Sequence, residues 1–295
     1  MPFVETDTLR VHFDSWGETT DQPIVLLHGW PDSPRCWLQV APSLAAQGFY
    51  VVAPALRGFG QTQFLHPNIP RSGELAALGR DLVSFTAALS LGHPILVGHD
   101  WGARAAANAA GLAPTLAKAL VMISVGYATN LATQALSVDQ AQRYWYHWFM
   151  ATAKGQEMVR RDPKAFAQHM WNTWAPPGWY TEEEFTLTAQ AFDNPDWVDI
   201  TLHSYQHRWG HAAGHALHAA DEQTLTPPPP VNAPTLMLHG ELDGASLPAS
   251  SEGKESFFTG PYERHVLAGV GHFPPREQPA EVVQRIMSFV ARHLS

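Results

Sequence analysis

The sequence has very little cysteine: Cys36 is the single cysteine among 295 residues. One thiol cannot form an intramolecular disulfide, so a reducing compartment, the cytoplasm, is the expected location. Hydrophobic residues make up 45% of the chain, a composition typical of a globular protein and not of a disordered one. The length is sufficient to bury a large core within one or two domains.

Positive charge is also scarce, with 18 lysine and arginine residues against 27 aspartate and glutamate residues and a formal net charge of −9. Phosphate groups are not attracted to such a chain, so we expect no nucleic-acid partner and no membrane partner. No apolar run approaches the roughly 18 residues that span a bilayer. The N-terminal stretch MPFVETDTLRVHF has neither the basic nor the apolar region of a signal peptide, so we expect none.

Short apolar runs alternate with helical patterns in the first part of the chain. Four of these runs are residues 23–29, 50–56, 94–100 and 119–126. Continuous apolarity is typical of parallel strands that are covered on both faces. Large apolar residues recur at spacings of three and four from Leu75 to Leu89, which predicts an amphipathic helix. The alternation predicts an α/β fold with a mostly parallel, doubly wound sheet.

This alternation stops after the fourth apolar run. Residues 127–225 have a helical, aromatic pattern without a convincing strand, and they hold most of the 11 tryptophans. A proline tract follows, and then the strand pattern resumes before a final helix. We therefore predict an α/β core made of residues 1–126 and 226–295, interrupted by a helical cap of residues 127–225.

The stretch Gly98-His99-Asp100-Trp101-Gly102 joins a predicted strand to an alanine-rich helix. It has the G-x-S-x-G pattern of a nucleophile elbow, in which small residues let the helix pack close to the strand. Here the central residue is an aspartate, which makes Asp100 the candidate nucleophile. The alternative is a structural turn in which Asp100 caps the helix.

A second loop, His28-Gly29-Trp30-Pro31, directly follows the first long strand. Enzymes with such an elbow form an oxyanion hole from an N–H of a loop like this one and the N–H that follows the nucleophile. The pattern therefore assigns the N–H groups of Trp30 and Trp101. The sharp turn favours a cis Trp30–Pro31 bond. His28 and His99 are expected to be structural hydrogen-bonding residues.

Two further polar residues follow predicted strands late in the chain. Asp243 lies within LHGELDGAS and His272 within GVGHFPPREQP. Each alone is compatible with an ordinary turn or loop residue. The order Asp100, Asp243, His272 is nevertheless that of nucleophile, acid and base in an elbow hydrolase. Glu241 is the competing acid, but it falls within the predicted strand, so Asp243 is favoured.

Together these motifs resemble those of α/β-hydrolase-fold epoxide hydrolases, and haloalkane dehalogenases share much of the pattern. The resemblance covers nearly the whole chain, and its marks are His28 to Pro31, Arg57 to Thr62, the elbow, and Gly271 to Phe273. It implies the α/β-hydrolase fold, with a small apolar epoxide and water as the substrates. The resemblance implies action as a monomer or homodimer.

An aspartate nucleophile suits substitution at saturated carbon, because the product is an ordinary ester. Asp100 would open the substrate and become that covalent alkyl-enzyme ester. His272, oriented by Asp243, would then activate water against the ester carbonyl. The oxyanion would form at the N–H groups of Trp30 and Trp101.

Epoxide opening produces an alkoxide, which needs a proton donor, whereas a halide leaves as a weak base. Epoxide hydrolases of this family carry two cap tyrosines for that task. The matching regions, RYWYHWF and LHSYQHRWG, imply Tyr146 and Tyr205, with Tyr144 as the alternative for the first. Packing within the cap is the other interpretation of each tyrosine.

Dehalogenases are the alternative enzymes. Haloalkane dehalogenases typically have asparagine where Trp30 stands, although the Trp101 indole N–H would suit a halide. Residues 146–148, Tyr-His-Trp, resemble the halide pocket of fluoroacetate dehalogenases, and Tyr205 fits that pocket too. Arg104 matches one of their two carboxylate-binding arginines, but Trp101 replaces the other. The resemblance thus favours an epoxide hydrolase. A non-catalytic ligand-binding α/β-hydrolase is the alternative from another class.

The predicted cap is rich in tryptophan, and tryptophans that face Asp100 would line a pocket for an aryl or alkyl epoxide. Histidines recur at residues 207–218 with a spacing of three to four. On a helix this spacing favours a solvated face over a metal site. We expect no metal and no organic cofactor.

Overall fold

The computed structural model describes residues 2–129 and 134–294. Within these residues a nine-stranded sheet forms the centre of the molecule. Its strands, in chain order, are β1 (Phe3–Glu5), β2 (Leu9–Trp16), β3 (Gln22–Leu27), β4 (Phe49–Pro54), β5 (Gln63–Phe64), β6 (Ile95–His99), β7 (Ala119–Ile123), β8 (Thr235–Gly240) and β9 (Tyr262–Leu267).

The spatial order of the strands is β1-β2-β4-β3-β6-β7-β8-β9, with β5 paired to β2. Strands β4, β3, β6, β7, β8 and β9 are all parallel, and β2 joins them antiparallel through β4. The predicted mostly parallel, doubly wound sheet is therefore confirmed. Strands β3, β4, β6 and β7 end one to three residues before their apolar runs do, because the last residues of each run turn away into loops at the carboxyl edge.

The helices of the described residues are α1 (Ala41–Ala45), α2 (Leu75–Ala88), α3 (Trp101–Leu112), α4 (Val138–Arg143), α5 (Trp145–Phe149), α6 (Ala153–Arg161), α7 (Pro163–Trp174), α8 (Glu182–Ala189), α9 (Trp197–Arg208), α10 (Ala219–Thr224), α11 (Pro274–Glu277) and α12 (Pro279–His293). Short 3₁₀ helices occupy Pro34–Trp37, Gln190–Asp193, Ala216–His218, Pro248–Ser251 and Glu255–Phe257.

Two apolar layers cover the sheet. Helices α1 and α12 bury Leu44, Ile286 and Phe289 against one face, where they meet alternate strand residues. Helices α2 and α3 cover the other face, and the predicted stripe of α2 buries Leu78, Leu82 and Phe85 there. Because both faces are covered, β6, β7 and β8 are buried along their full length.

Helices α4 to α10, here called the cap helices, lie between β7 and β8 in the chain. They contact the loops at the carboxyl edge of the sheet through main-chain hydrogen bonds. The Trp174 carbonyl, at the end of α7, accepts from the N–H groups of Gly244 at 2.9 Å and His272 at 3.0 Å. Gly60 donates similarly to the Ala191 carbonyl at 2.9 Å. Across residues 2–129 and 134–294, no helix has the length and apolarity needed to cross a bilayer.

Candidate active site

Asp100 stands in the tight turn between β6 and α3, with φ 49° and ψ −112°. The turn requires small neighbours: a Cβ on Gly98 would lie 2.1 Å from the Gly102 carbonyl oxygen, and one on Gly102 would lie 2.1 Å from the Leu27 carbonyl oxygen. The Asp100 side chain makes no hydrogen bond that caps α3. Asp100 thus occupies the N-cap position of α3 without capping it through the side chain, and the carboxylate is available for another role.

The loop after β3 brings Trp30 against this turn. The Trp30 N–H donates to Asp100 Oδ1 at 2.8 Å, and the Trp30–Pro31 bond is cis, as the sequence predicts. Trp101 is the first residue of α3, so its N–H is among those that the helix itself leaves without a partner. The Trp30 N–H thus contacts the candidate nucleophile, and the Trp101 N–H follows the nucleophile directly in the chain.

His28 and His99 hold these loops in place. His28 Nδ1 donates to the Gly29 carbonyl at 2.9 Å, while its Nε2 accepts from the Leu56 N–H at 3.1 Å. His99 Nε2 donates to the His272 carbonyl at 2.6 Å. Burial lowers the pKa of both imidazoles to about 4, so they are neutral. Their predicted structural role is confirmed.

His272 lies in the loop between β9 and α11, where it meets residues from two other loops. Its Nδ1 is 2.8 Å from Asp243 Oδ2, and its Nε2 is 3.8 Å from Asp100 Oδ2. Nε2 has no hydrogen-bond partner within the described residues although it is buried. The imidazole is therefore fixed on one side by Asp243 and left open on the side that faces Asp100.

Asp243 is fully enclosed just beyond β8. Its Oδ1 accepts from the N–H groups of Ala245 and Ser246, both at 2.8 Å. Burial alone would raise its pKa, but the nearby imidazoles of His272 and His239 outweigh burial and hold the pKa well below the usual range. The competing acid, Glu241, is exposed and accepts from the Gly269 N–H at 2.9 Å.

The charge on Asp243 acts on the histidine in turn. Burial disfavours the protonated form of His272, yet the Asp243 carboxylate outweighs that effect and raises the pKa of His272. Asp100 contributes in the same direction. A buried imidazole poised between two carboxylates is suited to taking a proton from water.

The two predicted tyrosines converge above the Trp30 loop. The Tyr146 ring stacks on Trp30 with centroids 5.8 Å apart, and it lies 5.3 Å from the Tyr205 ring. The Tyr205 hydroxyl accepts from the Trp101 indole N–H at 3.2 Å, which leaves its own proton free to be donated. Burial raises the pKa of both phenols, so both are protonated. Tyr144 is instead bonded to Ser246 Oγ at 3.1 Å.

Comparison with known proteins shows the family of this chain. The sequence profile of the α/β hydrolase fold family matches residues 22–279. This chain belongs to that family. The crystal structure of a putative epoxide hydrolase from Klebsiella pneumoniae is similar to it with a TM-score of 0.93 and 37% sequence identity, covering 98% of this chain and 96% of that one.

Two curated relatives are more distant. Epoxide hydrolase A of Mycobacterium tuberculosis is 22% identical, over 97% of this chain and 96% of its own length. An epoxide hydrolase of Caballeronia sordidicola is 23% identical, over 97% of this chain and 92% of its own length. The similarity therefore spans both the sheet and the cap helices of this α/β-hydrolase.

His147 and Trp148 occupy different positions in the α/β-hydrolase. His147 is buried, its Nδ1 accepts from the Trp209 indole N–H at 2.9 Å, and its ring lies 4.6 Å from Tyr205. Burial holds its pKa well below the usual range, so it is neutral. Trp148 is half-buried and packs on Trp209, with centroids 5.4 Å apart. His147 thus faces the tyrosines, and Trp148 packs further out.

Arg104 lies one turn after Asp100 on α3 and donates to the Thr129 carbonyl at 2.9 Å. Sequence reasoning missed a second arginine, Arg208 on α9. Its guanidinium carbon is 4.6 Å from the Tyr205 ring and 5.3 Å from the Trp101 ring. The available signal was the spacing of three residues from Tyr205, which places both side chains on one helix face.

The histidine tract at 207–218 is not one helix, so that prediction is wrong. Helix α9 ends at Arg208, and Gly210 follows with φ 75°, a conformation that ends the helical pattern. His211 and His215 are exposed, as predicted, whereas His218 is buried. Among the described residues, Glu74, His207 and Glu222 place possible metal-ligand atoms within 4.8 Å of one another. The expected absence of a metal stays a prediction.

Proposed function

We propose that this α/β-hydrolase is an epoxide hydrolase that works through a covalent ester on Asp100. The observation that carries the proposal is the position of Asp100: its Oδ1 accepts from the Trp30 N–H at 2.8 Å, and its Oδ2 lies 3.8 Å from His272 Nε2. The similarity to epoxide hydrolases along the whole chain supports the same activity.

In the first step, a carboxylate oxygen of Asp100 attacks one epoxide carbon. The carbon–oxygen bond of the ring breaks, and the electron pair leaves on the epoxide oxygen. Tyr146 and Tyr205 are the proton donors for this alkoxide, and one phenol gives up its proton as the ring opens. The product is a hydroxyalkyl ester of Asp100.

In the second step, His272 takes a proton from water, and the hydroxide attacks the ester carbonyl of Asp100. The N–H groups of Trp30 and Trp101 stabilise the oxyanion. Asp243 orients the imidazole and balances its positive charge. Collapse of the intermediate releases the vicinal diol and restores the Asp100 carboxylate, and the proton on His272 returns to the tyrosinate.

The proposal also assigns the parts of the chain to a core and a cap. Residues 1–126 and 226–295 form the core that carries the triad and the pocket residue Arg104. Residues 127–225 form the cap that supplies Tyr146, Tyr205 and the pocket residues His147 and Trp148. The enzyme acts in the cytoplasm, as a monomer or homodimer, on a small epoxide and water. It uses no cofactor, nucleic acid or membrane.

The test is the intact mass of a His272→Gln variant incubated separately with styrene oxide, 1-bromobutane and fluoroacetate. Without the base, the ester on Asp100 accumulates. A gain equal to the whole epoxide is expected with styrene oxide, and it disappears in the matched double variant Asp100→Asn/His272→Gln.

Hydrolysis of a haloacid is the second candidate, because Arg104 and Arg208 provide two cations beside the site. A mass gain equal to substrate minus hydrogen halide, seen with a halide and not with the epoxide, would transfer the assignment to dehalogenase. If no compound forms an adduct and the wild-type enzyme hydrolyses none, non-catalytic ligand binding is favoured instead.

A further inference from the structure

Four arginine side chains of the described residues are almost completely buried, and they form two groups: two have a carboxylate partner and two have none. Arg57 lies 2.6 Å from Asp81, and Arg276 lies 2.6 Å from Asp32. Arg104 and Arg208, which are 7% and 6% exposed, form no ion pair with any carboxylate of the described residues. A buried charge is normally neutralised by a partner of opposite charge. Arg104 and Arg208 therefore lack the carboxylate partner that Arg57 and Arg276 have.

The hydrogen bonds of Arg104 and Arg208 show the same deficit. Arg104 Nη1 donates to the Thr129 carbonyl at 2.9 Å, and Arg208 Nη2 donates to Ser204 Oγ at 3.0 Å. Both acceptors are neutral. The Nε–H of each guanidinium is buried and has no acceptor among the described residues. Two N–H donors on two adjacent cations are thus left available for an anion.

These donors border the candidate active site. Arg104 is on the helix that begins after Asp100, and Arg208 lies against the rings of Tyr205 and Trp101. Burial, followed by the charge of Arg208, lowers the pKa of Arg104 to about 10, so Arg104 remains a cation at neutral pH. An anionic group bound here would therefore be part of the substrate that Asp100 attacks.

We propose that Arg104 and Arg208 bind a carboxylate of the substrate, so that the enzyme acts on short epoxides that carry a carboxylate. This inference rests on the proposed epoxide hydrolysis. A carboxylate has two oxygens, so it can accept from both of these neighbouring guanidinium groups, and hydrogen bonds between ionised partners are stronger than those between neutral groups. The closely packed rings around Trp30 favour a short molecule over an extended one.

The catalytic test compares kcat/KM for oxirane-2-carboxylate with kcat/KM for oxirane-2-carboxamide, its neutral isostere. The wild-type enzyme is expected to prefer the carboxylate at least 10-fold. Arg208→Gln and Arg104→Gln are each expected to reduce that preference at least 10-fold, and Arg208→Lys to retain part of it. For each variant, the carboxylate-to-carboxamide ratio of kcat/KM is divided by the same ratio for the wild-type enzyme, which cancels the intrinsic reactivities of the two epoxides. Arg160→Gln, on exposed α6, is the matched control and should leave the ratio unchanged.

A binding test separates this inference from the proposed function. Propanoate, which has no epoxide, is titrated by calorimetry into the wild-type enzyme and the same variants, with propanamide as the neutral control. Propanoate is expected to bind, and the Arg208→Gln and Arg104→Gln variants are expected to lose at least 10-fold in affinity.

The outcomes are distinguishable. If propanoate binding depends on the arginines but neither epoxide is hydrolysed, the anion site is upheld and the epoxide hydrolase proposal fails. If the carboxamide is hydrolysed as well as the carboxylate and propanoate does not bind, the inference is overturned while the hydrolase proposal stands. Should the glutamine variants fail to fold, the wild-type preference and wild-type propanoate binding decide alone, since the absence of both overturns the inference.

Discussion

The Trp30 N–H donates a 2.8 Å hydrogen bond to Oδ1 of Asp100, a residue 70 positions later in the chain. Oδ2 of the same carboxylate is directed towards His272, with 3.8 Å between Oδ2 and Nε2. If Oδ2 attacks the substrate, Oδ1 becomes the ester carbonyl oxygen and already lies against its oxyanion donor. The donor that holds the nucleophile is then also in place for the second step.

This arrangement predicts where the oxygen of water goes. In a single turnover in ¹⁸O-water with excess enzyme, the label should enter the Asp100 carboxylate, and the diol should contain unlabelled oxygen. Mass spectrometry of the peptide that contains Asp100 checks this. Labelled diol in the first turnover would contradict a covalent ester and indicate direct attack of water on the epoxide.

Asp243 and Glu241 provide a matched pair for the acid of the triad. Asp243→Asn removes the negative charge beside His272 Nδ1, and kcat is expected to fall by about 10⁴-fold, as in other triads. Glu241→Gln should change kcat less than about twofold, because that side chain is exposed and bonds only the Gly269 N–H among the described contacts. Steady-state kinetics with one epoxide is sufficient, and a larger effect from Glu241→Gln would reverse the assignment.

The pKa of His272 should respond to Asp100. Although burial opposes it, the Asp243 carboxylate raises this pKa, and Asp100 adds to the effect. Asp100→Asn is therefore expected to lower the pKa of His272, measured by NMR titration of the imidazole C–H signals. Asp199→Asn, an exposed residue on α9, is the control. An unchanged midpoint in Asp100→Asn would show that the two side chains do not interact.

The raised pKa of His272 also determines how ester hydrolysis depends on pH: the rate should increase as the pH rises through that pKa. A raised pKa means that His272 keeps its proton to higher pH, and only the neutral form accepts a proton from water. Esterification of Asp100 removes one of the charges that raise the pKa, so the midpoint in the ester should lie below that of the free enzyme.

The two tyrosines should matter for epoxides in particular. Loss of a general acid typically costs about 10²–10⁴-fold, so Tyr146→Phe/Tyr205→Phe is expected to slow ester formation within that range. Tyr144→Phe is the control, because its hydroxyl is bonded to Ser246 at 3.1 Å. Rapid-quench measurement of the ester gives the rate directly. A loss confined to Tyr144→Phe would move the donor to that residue.

Arg276 connects three parts of the molecule and should be important for stability. It lies 2.6 Å from Asp32 in the loop after β3 and 2.8 Å from Glu184 on α8. Removing one member of a buried ion pair leaves the other uncompensated, so Arg276→Gln should lower the free energy of unfolding by about 3–5 kcal/mol. Arg292→Gln breaks an exposed pair with Glu263 and should cost at most about 1 kcal/mol. Urea denaturation measures both, and equal losses would contradict this distinction.

The sequence alone was sufficient for the sheet and the elbow, because both depend on local chemistry. Apolar runs without alternation predicted strands buried on two faces, and small residues at Gly98 and Gly102 predicted a turn that no larger side chain fits. The chain order of Asp100, Asp243 and His272 then indicated which loops meet at the carboxyl edge of the sheet.

Three features depended on tertiary structure. Tyr146 and Tyr144 have the same local setting, and only packing showed that Tyr146 stacks on Trp30 whereas Tyr144 bonds Ser246. The tract at 207–218 has a helical spacing, but Gly210 at positive φ ends the helix before it.

The third feature is the unpaired state of Arg104 and Arg208. Their positions in the sequence do not show that both lack a carboxylate partner among the described residues, because the partners of buried charges are often distant in the chain. Local sequence determines backbone torsion and the periodicity of burial. The partner of a buried charge is decided by contacts between distant segments, and these exist only once the core and the cap helices are packed together.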